Sequence, residues 1–104
     1  MSYIFSLLNI TDLNYRSRTE IVASILEAAN GGVTKTKIMY KAFLSFDQLK
    51  EYLEVLSNNG LLDYEPNSRL FRTTAKGFQF LTLISQMDQI VYGQKEKELA
   101  QRGR

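Results

Sequence analysis

The sequence predicts a mainly helical α+β fold: three short helices around a small core, a two-stranded hairpin, and a longer terminal helix. Three observations carry this. Between Ser17 and Gly60, three helix-length segments with apolar residues at helical spacing are divided by short polar or glycine-bearing turns. Two of those segments open on a Ser-x-x-Glu/Gln capping signal. Immediately after Gly60, two short runs flank Pro66-Asn67-Ser68, as in a hairpin.

Taken in order, the first helix has Ser17 as N-cap with Glu20 three residues on, and an apolar face of Ile21, Val22, Ile25, Leu26 and Ala29. Asn30-Gly31-Gly32 stops it, because glycine enters left-handed conformations without a Cβ clash. Thr34 caps a second helix from Lys35 to about Lys41, with Ile38 and Met39 turned inward. The third helix has a capping box in Ser45 and Gln48, an inward stripe of Leu49, Tyr52, Leu53 and Leu56, and Gly60 as its stop. Leu61 to Glu65 and Arg69 to Thr73 read as the strands. Thr74 caps a fourth helix, Ala75 to Tyr92, in which Phe80, Leu83, Ile84, Met87, Ile90 and Val91 form one stripe. A small core covers only the first turns of such a helix. The rest of the stripe needs another surface, and pairing with a second copy of the chain is the simplest one.

A chain of 104 residues fits one domain with an appendage, and 44% hydrophobic content suffices for a small packed core. Cysteine and histidine are both absent. That removes thiolate nucleophiles, sulfur or imidazole metal ligands, and the commonest general base. The expectation is a protein that is not an enzyme and needs no cofactor or metal, with no small-molecule substrate predicted. Met1 to Tyr15 has an apolar run but no basic leader region or cleavage site, and is too interrupted to span a membrane. It is read as an extra strand, short helix or tail on an intracellular, soluble chain. The expected organisation is an extension over 1–15, a domain over 16–77, and a terminal helix with a charged tail over 78–104.

The net charge of +2 hides an uneven distribution. Gly31 to Lys41 carries three lysines and no acid. Ala42 to Glu65 carries one lysine against five acids, a net of −4. Pro66 to Gly77 carries Arg69, Arg72 and Lys76 without an acid. Two basic patches therefore flank an acidic segment.

These residues also carry a resemblance. Thr36-Lys37-Ile38-Met39-Tyr40-Lys41-Ala42, Leu44-Ser45-Phe46-x-x-Leu49, Tyr52-Leu53, Asn59-Gly60-Leu61-Leu62 and the later Phe71-Arg72-Thr73-Thr74-x-Lys76-Gly77 turn are similar to the archaeal winged helix-turn-helix proteins of about ten kilodaltons. The resemblance covers roughly Arg16 to Leu81. It implies a winged helix-turn-helix fold and a dimeric, cytoplasmic, nucleoid-associated or regulatory protein whose partners are double-stranded DNA and a second copy of itself. By the same resemblance the terminal helices pair as a coiled coil, through Phe80, Leu83, Ile84, Met87, Ile90 and Val91. The Met1–Tyr15 extension departs from that pattern, and so does a terminal helix short for a long coiled coil, with Gly93 followed by a charged tail that either continues the helix or frays.

Under that resemblance the third helix enters the major groove with Ser45, Asp47, Gln48, Lys50 and Glu51 as candidate readers. Gln48 suits adenine, Lys50 guanine or phosphate, and an acid cytosine. The competing reading makes them a solvated helix face, with Gln48 serving only as cap. Lys35, Lys37 and Lys41 on the second helix, beside the DNA-contact candidate Thr36, and Arg69, Arg72 and Lys76 about the wing are candidates for phosphate. The competing reading is that they only keep a small protein soluble. By the resemblance Asn67, Ser68 and Arg69 at the wing tip lie along the minor groove. Most of Tyr40, Phe43, Phe46, Tyr52, Tyr64 and Phe71 are expected in the core rather than as stacking platforms. A protein-interaction module built on the same scaffold is the alternative function.

Overall fold

The computed structural model describes residues 17–102, so the extension expected over 1–15 lies outside the described residues. The elements are α1 (Arg18–Ala28), α2 (Lys35–Ala42), α3 (Phe46–Asn58), β1 (Leu62–Glu65), β2 (Leu70–Thr73) and α4 (Ala75–Arg102). The architecture is the mainly helical α+β one expected from the sequence.

Local chemistry starts each helix. Ser17 Oγ accepts from the Glu20 N–H at 3.1 Å, Thr34 Oγ1 from the Lys37 N–H at 3.2 Å, and Thr74 Oγ1 from the Gly77 N–H at 3.1 Å. At α3 the box is reciprocal: Ser45 Oγ accepts from the Gln48 N–H at 3.2 Å while Gln48 Oε1 accepts from the Ser45 N–H at 3.0 Å. Each bond satisfies a backbone donor that the helix itself cannot. Leu44, just before this cap, is buried with Leu49, in the arrangement of a hydrophobic staple.

The core is one cluster centred on Ile25, Leu26, Ala29, Ile38, Ala42, Leu49 and Leu62, all almost fully buried. α1 contributes its Ile21/Ile25/Leu26 face, α2 contributes Ile38 and Ala42, and α3 contributes Leu49, Leu53 and Leu56. Truncating one of these large side chains to alanine costs about 2–5 kcal/mol, because the cavity left behind collapses only partly.

β1 and β2 pair antiparallel in the register Leu62↔Thr73, Asp63↔Arg72, Tyr64↔Phe71 and Glu65↔Leu70. The Tyr64 and Phe71 rings lie 4.7 Å apart across the ladder. Val33 adds a bridge not foreseen in the sequence, exchanging backbone bonds with Phe71 at 2.9 and 2.8 Å. It fastens the wing to the chain entering α2. Thr73 does the same on the other side: it is buried, and its hydroxyl donates to the Leu26 carbonyl at 2.6 Å.

The end of α3 is tied to the start of α4. Thr74 Oγ1 donates to the Gly60 carbonyl at 2.6 Å, and Lys76 Nζ to the Asn59 carbonyl at 2.8 Å. Gly77 allows this closeness. A Cβ there would lie 2.6 Å from both the Leu61 carbonyl oxygen and Thr73 Cγ2.

α4 decides between the two courses open to the charged segment beyond Gly93: it continues as helix to Arg102. A single interior glycine costs only ~1 kcal/mol relative to alanine, too little to end a helix continued by Gln, Lys, Glu, Leu, Ala and Arg. At ~1.5 Å per residue its 28 residues span about 42 Å.

The aromatic residues correct an expectation. Tyr52 and Phe71 pack partly against the core, but Tyr40 is 71% exposed, Phe43 82% and Phe46 57%, with Tyr64 at 47%. The eight-residue α2 is oriented by Ile38 and Ala42, which leaves Tyr40 on the outer side. Leu44 takes the inward position at the turn, so its neighbour Phe43 faces out.

Candidate nucleic-acid interface

The candidate interface is the surface made by α2, the α2–α3 turn, the exposed side of α3 and the wing tip. Lys35, Thr36, Lys37 and Lys41 are all exposed. They are pinned to one body because the same short helix sends Ile38 and Ala42 into the core. Among the described residues the only ion pair is on the wing, so no carboxylate neutralises these lysines at salt-bridge distance. Lys35 Nζ sits 5.4 Å from the centroid of the Phe46 ring, a cation–π distance that joins the start of α2 to the start of α3.

On α3, Asp47, Lys50, Glu51 and Glu54 are exposed, opposite the Leu49/Leu53/Leu56 stripe. The face that the fold presents outward is therefore mostly acidic. Ser45 and Gln48 are exposed but occupied with each other in the capping box. A bidentate adenine contact through Gln48 would have to compete with the bond its Oε1 already accepts.

At the wing, the four residues Pro66 to Arg69 form the tip. The Arg69 N–H donates to the Glu65 carbonyl at 2.7 Å, and Arg69 itself has φ +58°. A left-handed arginine is costly, by roughly 1–2 kcal/mol for a residue with a Cβ. Ser68 Oγ donates to Glu65 Oε2 at a long 3.5 Å.

The second basic cluster divides once its partners are seen. Arg72 Nε donates to Glu65 Oε1 at 2.6 Å and its second nitrogen to the Gly31 carbonyl at 2.7 Å. Its guanidinium lies against Gly32, where the backbone has φ +97° and an added Cβ would meet it at 3.0 Å. Arg72 thus braces the wing on the α1–α2 turn, and Lys76 caps the end of α3. Arg69, Asn67 and Ser68 remain as the exposed polar groups of the tip. Sequence reasoning missed the brace because Gly31 and Arg72 are 41 residues apart. The run after the Pro66-Asn67-Ser68 turn placed Arg72 on the wing but not its partner.

Along α4, Phe80 packs on the core and Ile84 is half-buried, while Leu83, Met87, Ile90 and Val91 are exposed, Ile90 by 85%. Beside them a cleft of about 430 Å³ opens between α1 and α4, lined by Glu20, Ala23, Glu27, Ile84 and Met87 among others. Among the described residues no group of acidic residues is placed to hold a metal ion, and no helix is long and apolar enough to cross a membrane.

Comparison with known proteins agrees with this geometry. The sequence model of a family described as winged helix-turn-helix matches residues 15–91. The crystal structure of Sso10a-2, a DNA-binding protein from Sulfolobus solfataricus, is similar with a TM-score of 0.67 and 26% identity, covering 86% of this chain and 98% of that one. The PcaV transcriptional regulator from Streptomyces coelicolor, in complex with its natural ligand, is similar with a TM-score of 0.55 and 22% identity, over 94% of this chain and 79% of that one. At that identity the second likeness concerns the fold alone. No curated protein sequence matches the chain.

Proposed function

The chain belongs to the winged helix-turn-helix family, and on that basis we propose that it is a homodimeric protein of the cytoplasm that binds double-stranded DNA, as a transcriptional regulator or a nucleoid-associated protein. The observation that carries the reading is a set of exposed cations that pair with no carboxylate among the described residues: Lys35, Lys37 and Lys41 on the helix before α3, and Arg69 on the wing tip after it. Sso10a-2, similar in fold and sequence, is a DNA-binding protein, which supports the same ligand here. Family membership also agrees with the expectation of a protein that is not an enzyme.

In this reading α3 docks in the major groove and the flanking cations hold phosphates. Phosphate contacts supply affinity and orientation, and base edges supply selectivity. The acidic outer face of α3 opposes phosphate, so the cations beside it must bring the helix in. Ser45, Asp47, Gln48, Lys50 and Glu51 then select among sequences, an acid accepting from cytosine N4 and Lys50 donating to guanine. Asn67, Ser68 and Arg69 follow the backbone beside the groove, and Arg72 supports them by fixing the wing.

Dimerisation is assigned to α4, where Leu83, Met87, Ile90 and Val91 stand exposed on the stripe begun by Phe80 and Ile84. Two such helices side by side would bury that stripe and set the spacing of two half-sites.

The test is a salt titration of binding to mixed-sequence duplex DNA, followed by fluorescence anisotropy. Affinity is expected to fall steeply as salt rises, since each neutralised phosphate contributes a log–log slope of about −0.9. Absence of binding even at low salt refutes the reading. For the interface, Met87→Glu is expected to halve the mass seen by light scattering, and an unchanged dimer mass would exclude α4. A monomer that ignores DNA would instead point to a winged-helix scaffold for protein contacts.

A further inference from the structure

We propose that the α2–α3 turn is a binding site for single-stranded DNA, on which Tyr40, Phe43 and Phe46 stack bases while Lys37 and Lys41 hold the strand's phosphates. The three aromatics follow one another at three-residue intervals across the turn. They are among the most exposed large apolar side chains of the described residues, at 71%, 82% and 57%. Folding normally removes rings of this size from water, each carrying a hydrophobic gain of about 1.5–3 kcal/mol on full burial. Here the core is complete without them, because Ile38, Ala42, Leu44 and Leu49 already fill the inner side of the turn.

The backbone adds a second observation. Phe43 holds φ +54°, a left-handed conformation that L residues with a side chain rarely adopt and that glycine or asparagine would adopt at less cost. The C-cap of α2 has thus taken a large ring in place of a residue suited to it. That choice costs stability and places an aromatic on the outside.

Charge identifies the occupant. The same short helix carries Lys35, Lys37 and Lys41 with no acid between Gly31 and Lys41, and Lys35 lies over the Phe46 ring. Three lysines on one short helix are fewer than the roughly four to eight clustered cations that mark docking on an anionic lipid surface. Rings interleaved with cations suit a polyanion whose flat, apolar bases are accessible, as in an unpaired strand. Duplex DNA offers this turn its phosphates but keeps its base faces stacked on one another, out of the rings' reach. The two activities accordingly share the lysines and differ elsewhere: unpaired bases need the turn aromatics, and duplex needs the wing tip with Arg69. The single-strand site does not depend on the duplex reading.

The chain has no tryptophan, which makes a site-specific reporter available. Phe43→Trp is titrated with oligo(dT), and quenching and a shifted emission maximum are expected as bases stack on the indole. In parallel, Phe43→Gly removes the ring while easing the left-handed backbone, so this variant is expected to fold at least as well as the parent, checked by its Tm. Its affinity for oligo(dT) is expected to drop by at least about fivefold, the loss of one stacked base, with duplex affinity unchanged. Arg69→Glu is expected to do the reverse. Failure of saturating oligo(dT) to quench the indole of the Phe43→Trp variant, or equal loss of duplex and single-strand binding in Phe43→Gly, overturns the proposal. Duplex binding that is absent while quenching persists would overturn the duplex reading alone.

Discussion

α2 and α3 are consecutive, meet at one turn, and are both started by a hydroxyl cap, yet their outer surfaces carry opposite chemistry. α2 shows water three lysines and an exposed tyrosine, and α3 shows it Asp47, Glu51 and Glu54 with Lys50 alone among them. Their inner surfaces are alike: Ile38 and Ala42 on one, Leu49, Leu53 and Leu56 on the other, all buried in one cluster. Burial dictates how each helix is rotated, but leaves the outward residues free to differ. The helix proposed to enter the groove therefore need not be the source of affinity. Under the proposed function, attraction to a polyanion belongs to α2 and the wing tip, and α3 contributes by what it refuses as much as by what it accepts.

Removing the frame that the two helices share has the largest expected effect. Ile38→Ala is expected to lower stability by about 2–5 kcal/mol in urea unfolding, and to weaken duplex and single-strand binding together. Loss of only one would mean that the two surfaces are not held by the same core. Next in size, the double change Lys37→Glu and Lys41→Glu is expected to cost at least about tenfold in duplex affinity at low salt, with the log–log salt slope reduced by about 2 as two phosphate contacts go. An unchanged slope would move the source of affinity away from α2. The smallest effect is expected on α3. Asp47→Asn with Glu51→Gln should raise affinity for mixed-sequence duplex by only about two- to threefold, the scale of screened surface electrostatics. A loss of affinity across all sequences would show instead that these acids make essential base contacts.

A second contrast lies within the basic residues themselves. Arg69 and Arg72 are three residues apart on the same wing, and both are candidates for phosphate on sequence grounds. Arg72 spends its guanidinium on Glu65 and the Gly31 carbonyl, whereas Arg69 stands at the tip on a left-handed backbone. The exposed Arg72–Glu65 pair itself adds little stability, since such pairs are typically worth about 0–1 kcal/mol. Its value is positional: it orients the guanidinium whose other nitrogen donates to the Gly31 carbonyl and so fixes the wing on the α1–α2 turn.

Much of the frame is legible along the chain because it depends on neighbours. Ser17, Thr34, Ser45 and Thr74 reach only three residues ahead. The apolar spacing of Ile21/Ile25, Leu49/Leu53/Leu56 and Leu62 follows from helix and strand periods. The hairpin follows from Pro66-Asn67-Ser68, and the family resemblance is carried by contiguous motifs. Less legible are groups whose partner is distant in sequence. Val33 bridging Phe71, Thr73 reaching Leu26, and Arg72 reaching Gly31 all need two segments brought together. The aromatics mislead for a related reason: a ring at helical spacing reads as core until the core is found already full. Gly93 leaves the end of α4 open along the chain, because one glycine is too weak a signal to end a favourable helix.

Three capped helices, a hairpin, a longer helix, and positive charge on either side of an acidic segment are thus written in the chain itself, since each is a property of residues a few positions apart. Which of those charges and rings face water is settled only when the segments pack together. A small core has a limited interior. Once Ile25, Leu26, Ile38, Leu49 and Leu62 occupy it, Tyr40, Phe43 and Phe46 are left outside, and no local pattern records that competition for space.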